Sequence, residues 1–487
     1  MTDPHEPSSS LAYLSAGELM DQFANGSLRS LALLDVLLER IDAIDDAHSP
    51  VALRAIAARD DGARAVAAQR DEQRASGVIL GPLHGLPVVI KDNIEALGLP
   101  GAAGSTALLG RPTRDAPLVA RLRAAGAVIV GSTNLSQWAN IRSGRSTSGW
   151  SATGGLVANP WALDRSAGGS SSGSGAAVAA GLAPLAVGTE TDGSIVCPAS
   201  VKGVVGLKPT VGGVPATHVV PISASQDSPG PMGRTVADVA RLFAVLSGTS
   251  PVELARSRVA VAANWRTGHP ATDERFDEVV AALAAAGVYV TLREVPEPGP
   301  EQQQDELDVL LGELVDDLSS YLADRPGDGV RSLAEVVDYE DRHRTREQPY
   351  FGHDLFLMAL ATGGRAGAAY AAARARNLAW AREVCLGPAL KDVDVLLAPA
   401  YGPAWKSDLI VGGHPGPASV ATTPAAIAGW PIASVPIGFV HGLPIGAAII
   451  ARPHEEWQIL ELAARLEAVV DLGFERIRPS FSGPTRG

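Results

Sequence analysis

One serine, in a glycine-rich turn, stands out in this 487-residue chain as a residue that could do covalent chemistry. The turn reads GTETDGSI over residues 188–195 and follows the apolar run APLAV. An apolar run of this kind predicts a strand, and a tight turn at a strand end commonly carries a nucleophile. Ser194 is therefore a candidate nucleophile for attack on a carbonyl group.

A serine nucleophile needs a base, and Lys91 is well placed in the sequence to be one. The chain has only five lysines against thirty-five arginines, and Lys91 directly follows the apolar run LPVVI. Burial lowers the pKa of an amine, by up to ~3–5 units when it is complete, so a buried Lys91 would be neutral near physiological pH. The alternative is a lysine whose stem follows the strand end out to water.

A second glycine-rich segment, GGSSSGSG over residues 168–175, runs straight into the helix-forming stretch AAVAAG. A loop that opens a helix points backbone N–H groups at whatever lies above it, which suits an anion or an oxyanion. Residues 169–173 also match GxSxG, the nucleophile motif of α/β-hydrolases, with Ser171 as nucleophile. That motif follows a strand, whereas the preceding NPWALDRSA is typical of a turn.

The elements that must position these residues have the pattern of an α/β protein. From residue 81, short apolar runs alternate with Gly/Ser-rich turns and Ala-rich helices. The apolar runs Ile432–Ile437 and Ile445–Ala451 predict two buried strands joined by a tight turn. A capping box at Ser15 begins the N-terminal helices, and a helix is expected over Val51–Gln73.

We predict one domain over residues 1–487. Its parts are N-terminal helices (about 11–75), a core (about 80–250), a helical excursion (about 272–390), and C-terminal strands with a helix (about 391–475). The acidic run EQQQDELDVLLGELVDDL in the excursion is interpreted as a solvated helix face.

Composition excludes several classes of function. A net charge of −13 argues against a nucleic-acid surface, which needs clustered Lys and Arg. Prolines interrupt the most apolar stretch, so no membrane helix is expected. No secretory signal is visible and there are only two cysteines, which favours a cytoplasmic protein. The ten histidines form no HExxH motif and no Cys/His cluster, so we expect no metal site.

Three separated segments, GLPVVIKDN, GGSSSGSGAAVAAG and GTETDGSI, resemble the amidase signature family in their order and spacing. The likeness extends to NPWALDRS, GVVGLKPT, SQDSPGPMGRTVADVA and the C-terminal PIASVPIGF–GLPIG, roughly residues 15–470. The resemblance implies the amidase signature fold, an α/β fold with a large mixed β-sheet covered by helices on both faces. It also implies an amidase that needs no cofactor.

Carried over by position, the resemblance implies a Ser–cis-Ser–Lys triad. The nucleophile is Ser194, the bridging serine is Ser170 and the base is Lys91. Ser171 and Ser172 are interpreted as hydroxyls that fix the loop. The family's oxyanion hole consists of backbone N–H groups, which fall here on Thr191, Asp192, Gly193 and Ser194.

The chain departs from the common family pattern GTDxGGSIR at three positions. Glu190 replaces the first Asp, Asp192 replaces a Gly and Val196 replaces the Arg. The missing Arg removes a cation that could bind a substrate carboxylate, which favours a neutral acyl portion. The variant string ETDGSIVCPA looks most like the bacterial peptide amidases, which remove the amide from the C-terminus of peptide amides.

The sequence is also compatible with other functions. Amidases of the same family act on aryl, aliphatic or carbamate substrates, and another branch acts on charged tRNA. A non-catalytic protein on the same fold would be expected to lack Lys91 or Ser194, and both are present. The expected partner is a small-molecule or peptide amide, and no oligomeric state is predicted.

Overall fold

The N-terminal segment is mainly helical and contributes the first strand of a sheet. The computed structural model describes residues 10–251, 257–413, 416, 418–470 and 478–481. The elements up to residue 75 are α1 (Ala16–Ala24), α2 (Ser30–Ile44), β1 (Ile56–Arg59) and α3 (Ala63–Ala75). The capping box predicted at Ser15 is confirmed, because Ser15 Oγ accepts from the N–H of Glu18 and Glu18 accepts from the N–H of Ser15. The helix predicted over Val51–Gln73 is wrong in its first part, which forms β1.

The core contains short strands and helices in alternation, as predicted. Its elements are β2 (Pro87–Lys91), α4 (Pro117–Ala124), β3 (Val128–Thr133), β4 (Trp150–Ser151), β5 (Gly155–Leu156), β6 (Ala158–Asn159), β7 (Ala162–Ser166), α5 (Ser172–Ala179), β8 (Leu185–Glu190), α6 (Val196–Ser200), β9 (Val205–Lys208), β10 (Ser228–Gly233) and α7 (Val236–Ser247). The residues before the GxSxG match form a strand, β7, rather than only a turn. That strand pairs with β6 in a separate hairpin, outside the main sheet.

The excursion predicted over about 272–390 is mostly helical, but it includes one strand, and another strand precedes it. The elements from residue 258 to 389 are β11 (Arg258–Ala262), α8 (Pro270–Ala285), β12 (Tyr289–Arg293), α9 (Pro300–Asp324), α10 (Leu333–Arg342), α11 (Arg344–Glu347), α12 (Asp354–Thr362), α13 (Tyr370–Ala379), a π-helical stretch (Trp380–Leu386) and α14 (Gly387–Ala389). The acidic run lies in α9, where Asp305, Glu306 and Glu313 are buried. Its interpretation as a solvated face is therefore wrong at these positions.

The C-terminal segment completes the sheet. Its elements are β13 (Val395–Pro399), α15 (Thr422–Ala428), β14 (Ile432–Val440), β15 (Leu443–Ala451) and α16 (Glu456–Val470). The predicted hairpin is confirmed, and β14 and β15 pair antiparallel along their length. Every helix of the described residues is too short or too polar to cross a bilayer.

Eleven strands of the described residues form one mixed sheet in the order β1-β3-β2-β8-β10-β9-β14-β15-β13-β11-β12. Helices cover both of its faces, because alternate residues of a strand point to opposite sides. Val88 and Ile90 belong to the apolar cluster that includes residues of α7, whereas Val89 belongs to the cluster on the other face that includes the alanines of α5.

The register of three parallel strands places the candidate residues at one edge of the sheet. Strand β2 lies between β3 and β8 and is parallel to both. Ile90 pairs with Val187, so Lys91 at the end of β2 lies next to Gly188 and Thr189. In α/β proteins, ligands bind at the carboxyl ends of parallel strands. This edge is therefore the natural place for a site.

Candidate active site

Lys91 is fully buried, and its side-chain nitrogen faces both glycine-rich segments. Lys91 Nζ lies 2.8 Å from Ser170 Oγ, 3.1 Å from the Thr189 carbonyl oxygen and 2.9 Å from Thr189 Oγ1. Burial lowers the pKa of Lys91 to about 7, although the carboxylates of Asp227 and Glu190 act in the opposite direction. The alternative of a lysine that reaches water is wrong.

Burial alone does not distinguish Lys91, because Lys202 and Lys208 are also fully buried. Lys208 Nζ donates to the carbonyl oxygens of Pro209 and Trp430. Lys202 Nζ has no hydrogen-bond partner among the described residues. Of these three buried lysines, Lys91 is the one that contacts a serine hydroxyl within the described structure.

Ser170 follows a cis peptide bond between Gly169 and Ser170. Its hydroxyl is fully buried, and its carbonyl oxygen accepts from the N–H of Ser136 at 3.2 Å. A Cβ on Gly169 would lie 2.5 Å from Ser136 Oγ and 3.1 Å from Ser148 Cβ, so a larger residue would force these two serines to move. Close packing therefore favours glycine before Ser170.

The next two serines bind backbone atoms, as predicted for hydroxyls that fix the loop. Ser171 Oγ donates to the carbonyl oxygen of Thr189 at 3.0 Å and accepts from the N–H of Thr189 at 3.2 Å. Ser172 Oγ donates to the carbonyl oxygen of Gly168. The hydroxyl of Ser171 is thus hydrogen-bonded to both backbone groups of Thr189. This arrangement disfavours Ser171 as the nucleophile of a GxSxG motif.

Ser194 ends the turn that follows β8 and is 8% exposed. Its carbonyl oxygen accepts from the N–H of Ser171 at 3.1 Å, which joins the turn directly to the serine loop. Gly193 has a φ of +76°, a left-handed conformation that favours glycine. The carbonyl oxygen of Gly193 accepts from the N–H of Cys197 at 2.7 Å, so the first residues of α6 brace the turn.

Glu190 is buried and stabilises this turn through hydrogen bonds. Its Oε2 accepts from the N–H groups of Ile195 and Val196, at 2.6 and 2.9 Å. Burial raises the pKa of Glu190, and Lys208 opposes that rise. The substitution of Glu for the usual Asp thus keeps a carboxyl group that closes the turn across Ser194.

The four backbone N–H groups predicted for the oxyanion hole make no hydrogen bond to protein acceptors among the described residues. Within the described residues, none of Thr191, Asp192, Gly193 and Ser194 donates its N–H to another protein atom. Backbone N–H groups in a folded protein are usually paired. A run of free N–H groups in one turn is what a site for an oxyanion requires.

Asp227, from the segment SQDSPGP, holds Thr191 from outside the turn. Asp227 Oδ1 accepts from Thr191 Oγ1 at 2.5 Å, and Oδ2 accepts from the N–H groups of Ile222 and Ser223. Ser223 in turn donates its hydroxyl to Glu313 of α9. Glu313, a buried acidic residue of the excursion, therefore supports the turn through this loop.

A cavity of about 260 Å³ lies against the turn and the serine loop. Its walls include Gly169 and Gly193, the residues directly before Ser170 and Ser194. Asp192 is the one charged residue among the described residues that line it. The described lining residues are Asn140, Ser143, Gly144, Ser146, Ser148, Gly169, Asp192, Gly193, Cys197, Tyr401, Trp405 and Gly413.

Two residues near the cavity have structural explanations. Burial raises the pKa of the Cys197 thiol to about 11, so the thiol is protonated and unreactive at neutral pH. Val196, which replaces the family's Arg, is fully buried in an apolar cluster with residues of β13 and β14. No cation replaces that Arg among the described residues lining the cavity.

Sequence reasoning missed the supporting residues Thr189, Asp227 and Tyr401. Thr189 and Asp227 lie inside the motifs that predicted the site, but nothing in their spacing indicated what they contact. Tyr401 follows β13, more than 200 residues from the turn, and a Cβ on Gly193 would lie 2.9 Å from its hydroxyl oxygen. Only the fold brings Tyr401 to the turn.

The chain is similar to proteins of one family over most of its length. The peptide amidase from Stenotrophomonas maltophilia is 36% identical and superposes with a TM-score of 0.89, covering 96% of this chain and 98% of that one. A glutamyl-tRNA(Gln) amidotransferase subunit from Symbiobacterium thermophilum is 35% identical over 92% of this chain and 95% of its own length. A putative amidase from Schizosaccharomyces pombe is 33% identical over 85% of this chain and 78% of its own length.

The family model named Amidase matches residues 32–460, which include all the sequence motifs that carry the resemblance. The mixed sheet with helices on both faces agrees with the fold of the peptide amidase. The resemblance found in the motifs is therefore confirmed, and the chain belongs to the amidase family of enzymes that hydrolyse amide C–N bonds.

Proposed function

We propose that the chain hydrolyses the C-terminal carboxamide of a peptide, or a related neutral amide. In this proposal Ser194 is the nucleophile, Ser170 the bridging hydroxyl and Lys91 the base. The observation that carries the proposal is the 2.8 Å contact between Lys91 Nζ and Ser170 Oγ, next to a turn whose N–H groups are free.

The contacts of Lys91 suit a neutral amine. A neutral lysine has two N–H bonds and one lone pair. The two oxygens of Thr189 lie at hydrogen-bond distance and can accept both N–H bonds. The lone pair is then left for the hydroxyl proton of Ser170, and a pKa of about 7 makes this form abundant at neutral pH.

In the proposed reaction Ser194 Oγ attacks the carbonyl carbon of the amide. The proton of Ser194 passes to Ser170, whose own proton passes to Lys91. Backbone N–H groups of the turn hold the negative oxygen, each worth roughly 3 kcal/mol of transition-state stabilisation. The proton then returns through Ser170 to the leaving nitrogen, so that the C–N bond breaks and ammonia departs. Water hydrolyses the remaining acyl-enzyme by the same proton route.

The chemistry of the cavity supports a neutral acyl portion. Its described lining is mainly hydroxyl groups, glycines and two aromatic rings, with Asp192 as the charged member. A substrate carboxylate buried here would have no cationic partner, which costs several kcal/mol. The similarity to a peptide amidase supports the C-terminal amide of a peptide as the substrate.

The nearest competing function is that of another amidase of the same family, acting on aryl, aliphatic or carbamate substrates. The similarity to a glutamyl-tRNA(Gln) amidotransferase raises a further candidate, which handles charged tRNA. The net charge of −13 disfavours tRNA as a partner, because RNA binding depends on basic surface.

Both free cysteines, Cys197 and Cys385, are compatible with the cytoplasmic location that we propose.

Ammonia release from a matched panel tests this function. The panel contains an acetylated dipeptide amide, benzamide, hexanamide, a leucine anilide followed by aniline release, and an aryl carbamate. We expect the highest kcat/KM for the dipeptide amide and no turnover above background by Ser194→Ala or Lys91→Ala. Higher kcat/KM on benzamide or the carbamate would overturn the substrate, and near-full activity of Lys91→Ala would overturn the base.

A further inference from the structure

A strained turn over residues 138–140 ends in the wall of the cavity of about 260 Å³. Trp138, Ala139 and Asn140 have φ values of +51°, +54° and +76°. Left-handed backbone is uncommon for residues other than glycine, and such residues keep it only where the surrounding structure holds them. Asn140 lines the cavity beside Ser148, and its Nδ2 donates to Ser148 Oγ at 3.2 Å. A group that holds this turn therefore also fixes part of the cavity wall.

Two carboxylates of the excursion bind side chains at the start of the turn. Trp138 Nε1 donates to Glu340 Oε1 of α10 at 2.9 Å, and Gln137 Nε2 donates to Glu347 Oε2 of α11. Glu340 and Glu347 are fully buried, although they lie more than 200 residues along the chain from the turn. These contacts join the excursion to the cavity wall.

Glu340 is itself held by two further side chains. Its Oε2 lies 2.9 Å from His353 Nδ1, and its Oε1 lies 3.9 Å from Arg142 Nη1. Arg142 is fully buried, and its Nη1 donates to the carbonyl oxygen of Glu347. A buried carboxylate needs such partners to be stable. Because these neighbours fix the carboxylate, it can hold the indole of Trp138 in one position.

The residue that connects this region to the proposed triad has anchors of its own. The N–H of Ser136 donates to the carbonyl oxygen of Ser170 at 3.2 Å. Ser136 Oγ accepts from the N–H of Gly149 at 2.8 Å, independently of the excursion. Movement of the turn should therefore disturb the cavity wall more than the position of Ser170.

We propose that Glu340 is a positioning residue for substrate binding. Through the indole of Trp138 it holds the turn over residues 138–140, and the turn keeps Asn140 in the wall of the cavity. The use of this cavity by the acyl portion of the amide rests on the proposed function. The side chains that contact the Glu340 carboxylate, as described above, lie outside the proposed triad. Loss of this carboxylate therefore weakens substrate binding more than it slows the chemical step.

Steady-state kinetics of full-length variants separate binding from chemistry. Glu340→Ala and Trp138→Phe each remove the indole hydrogen bond. Both should raise KM at least about fivefold and keep kcat within about threefold of wild type. Glu340→Gln keeps a carbonyl oxygen that can accept from the indole, so its KM should stay within about twofold of wild type.

The acetylated dipeptide amide and benzamide are both used as substrates. A wild type that prefers benzamide would overturn the proposed substrate, whereas the comparison of variants on benzamide would still decide the role of Glu340. An unchanged KM on both substrates in Glu340→Ala and Trp138→Phe would overturn that role.

Asp305→Ala is the matched control. Asp305 is a buried carboxylate of α9 that accepts from Arg376 Nε of α13 at 3.0 Å, so its loss also weakens packing within the excursion. The control should lower Tm and keep KM within about twofold of wild type. A rise in KM equal to that of Glu340→Ala would mean that any damage to the excursion weakens binding, and would overturn the specific role of Glu340.

Hydrogen exchange followed by mass spectrometry tests the turn independently of any activity. The N–H groups of Trp138, Ala139 and Ile141 donate to backbone carbonyl oxygens, which protects them while the turn is formed. We expect a peptide covering residues 136–142 to exchange at least about tenfold faster in Glu340→Ala and Trp138→Phe, and at the wild-type rate in Asp305→Ala. Wild-type exchange in Glu340→Ala would overturn the proposal.

Discussion

Thr189 presents both of its oxygens to Lys91, the carbonyl oxygen at 3.1 Å and the hydroxyl oxygen at 2.9 Å from Nζ. The sheet register produces this arrangement, because the end of β2 lies next to the end of β8. A lysine held by one neighbour at two points has little freedom to rotate. Thr189 therefore orients the amine toward Ser170.

We predict that Thr189→Val lowers kcat/KM by about 10–100-fold, because Lys91 loses one of its two fixed acceptors. Valine has the shape of threonine, so the loss comes from the hydroxyl. Asn93 loses the same acceptor, and we expect the free energy of unfolding to fall by about 1–2 kcal/mol. Steady-state kinetics and urea unfolding measure the two effects separately.

Thr133→Val is the matched control for this prediction. Thr133 is a buried threonine at the end of β3, and its hydroxyl pairs with Ser174 Oγ at 2.7 Å. The control should lose comparable stability and keep kcat/KM within about threefold of wild type. Equal kinetic losses in both variants would contradict a specific role for Thr189.

The pH profile follows from the lowered pKa of Lys91. A base must be neutral to accept a proton, so activity falls as pH drops through the pKa of the base. Because burial lowers that pKa to about 7, kcat/KM for a neutral amide should reach its plateau near pH 8. A profile measured from pH 5 to 10 checks this expectation. An acidic limb near ~10.4, the value of a free lysine, would mean that Lys91 is not the buried base.

Substitution of Lys202, unlike that of Thr189, is expected to stabilise the fold. It is buried without a hydrogen-bond partner among the described residues, and burial lowers its pKa to about 7. The unfolded chain binds a proton that the folded chain lacks between pH 7 and ~10.4, so Lys202 destabilises the fold most at and below pH 7. Lys202→Met should raise the free energy of unfolding at pH 7 by about 1–3 kcal/mol, with a smaller gain at pH 10.

Denaturant unfolding at the two pH values measures this gain, and Lys391→Met at an exposed position is the control. The Lys202 variant should also keep its activity, in contrast to Lys91→Met. Loss of activity in Lys202→Met with a stable fold would instead make Lys202 a competitor for the role of base.

A secondary-structure element can be predicted from the sequence when the strand or residue that it contacts lies nearby in the chain. The hairpin of β14 and β15 is predictable because both strands are apolar and adjacent in the chain. Strand β1 escapes prediction because it has four residues and pairs with β3, more than 70 residues away. Local pattern carries no information about such a partner.

Buried acidic residues escape prediction for the same reason. Glu313 looks like a surface residue of a helix, but Ser223 and Tyr370 donate hydrogen bonds to it from distant segments. Glu190 is visible in the sequence as a departure from the family pattern, yet its hydrogen bonds to the turn emerge only in the structure. By contrast, Lys91 is recognisable only together with the two glycine-rich segments, because β9 also ends in a buried lysine, Lys208, which binds backbone carbonyl oxygens.

Adjacent serines in the loop should respond differently to substitution. We predict that Ser170→Ala lowers kcat by at least about 10³-fold, because the proposed proton route from Ser194 to Lys91 is interrupted. Ser171→Ala should lower kcat by less than about tenfold and reduce stability by about 1–2 kcal/mol, because Ser171 binds the backbone of Thr189. Single-turnover kinetics and thermal unfolding of both variants check this order, and the reverse order would revive Ser171 as the nucleophile.

The cavity of about 260 Å³ beside the turn is expected to discriminate between substrates by their charge. Asp192 lines this cavity, and its Oδ2 accepts from Thr423 Oγ1 at 2.8 Å, while Oδ1 has no partner among the described residues. Val196 supplies no cation where the family has an arginine. A carboxylate on the substrate near the scissile bond would therefore lose its hydration without a cationic partner. Burial raises the pKa of Asp192, and the ionised form of Asp192 would repel the substrate carboxylate.

We expect N-acetyl-methioninamide to have a kcat/KM at least about tenfold above that of N-acetylglutamic α-amide, which corresponds to about 1.4 kcal/mol. The two compounds have side chains of similar length and differ in charge. Asp192→Asn should narrow this ratio, because it removes the like charge and keeps the hydrogen bond from Thr423. The ratio within each variant is the useful measure, since a general loss of activity from a disturbed turn cancels in it. A wild-type preference for the acidic amide, or a ratio that Asp192→Asn leaves unchanged, would show that Asp192 does not set the charge preference of this cavity.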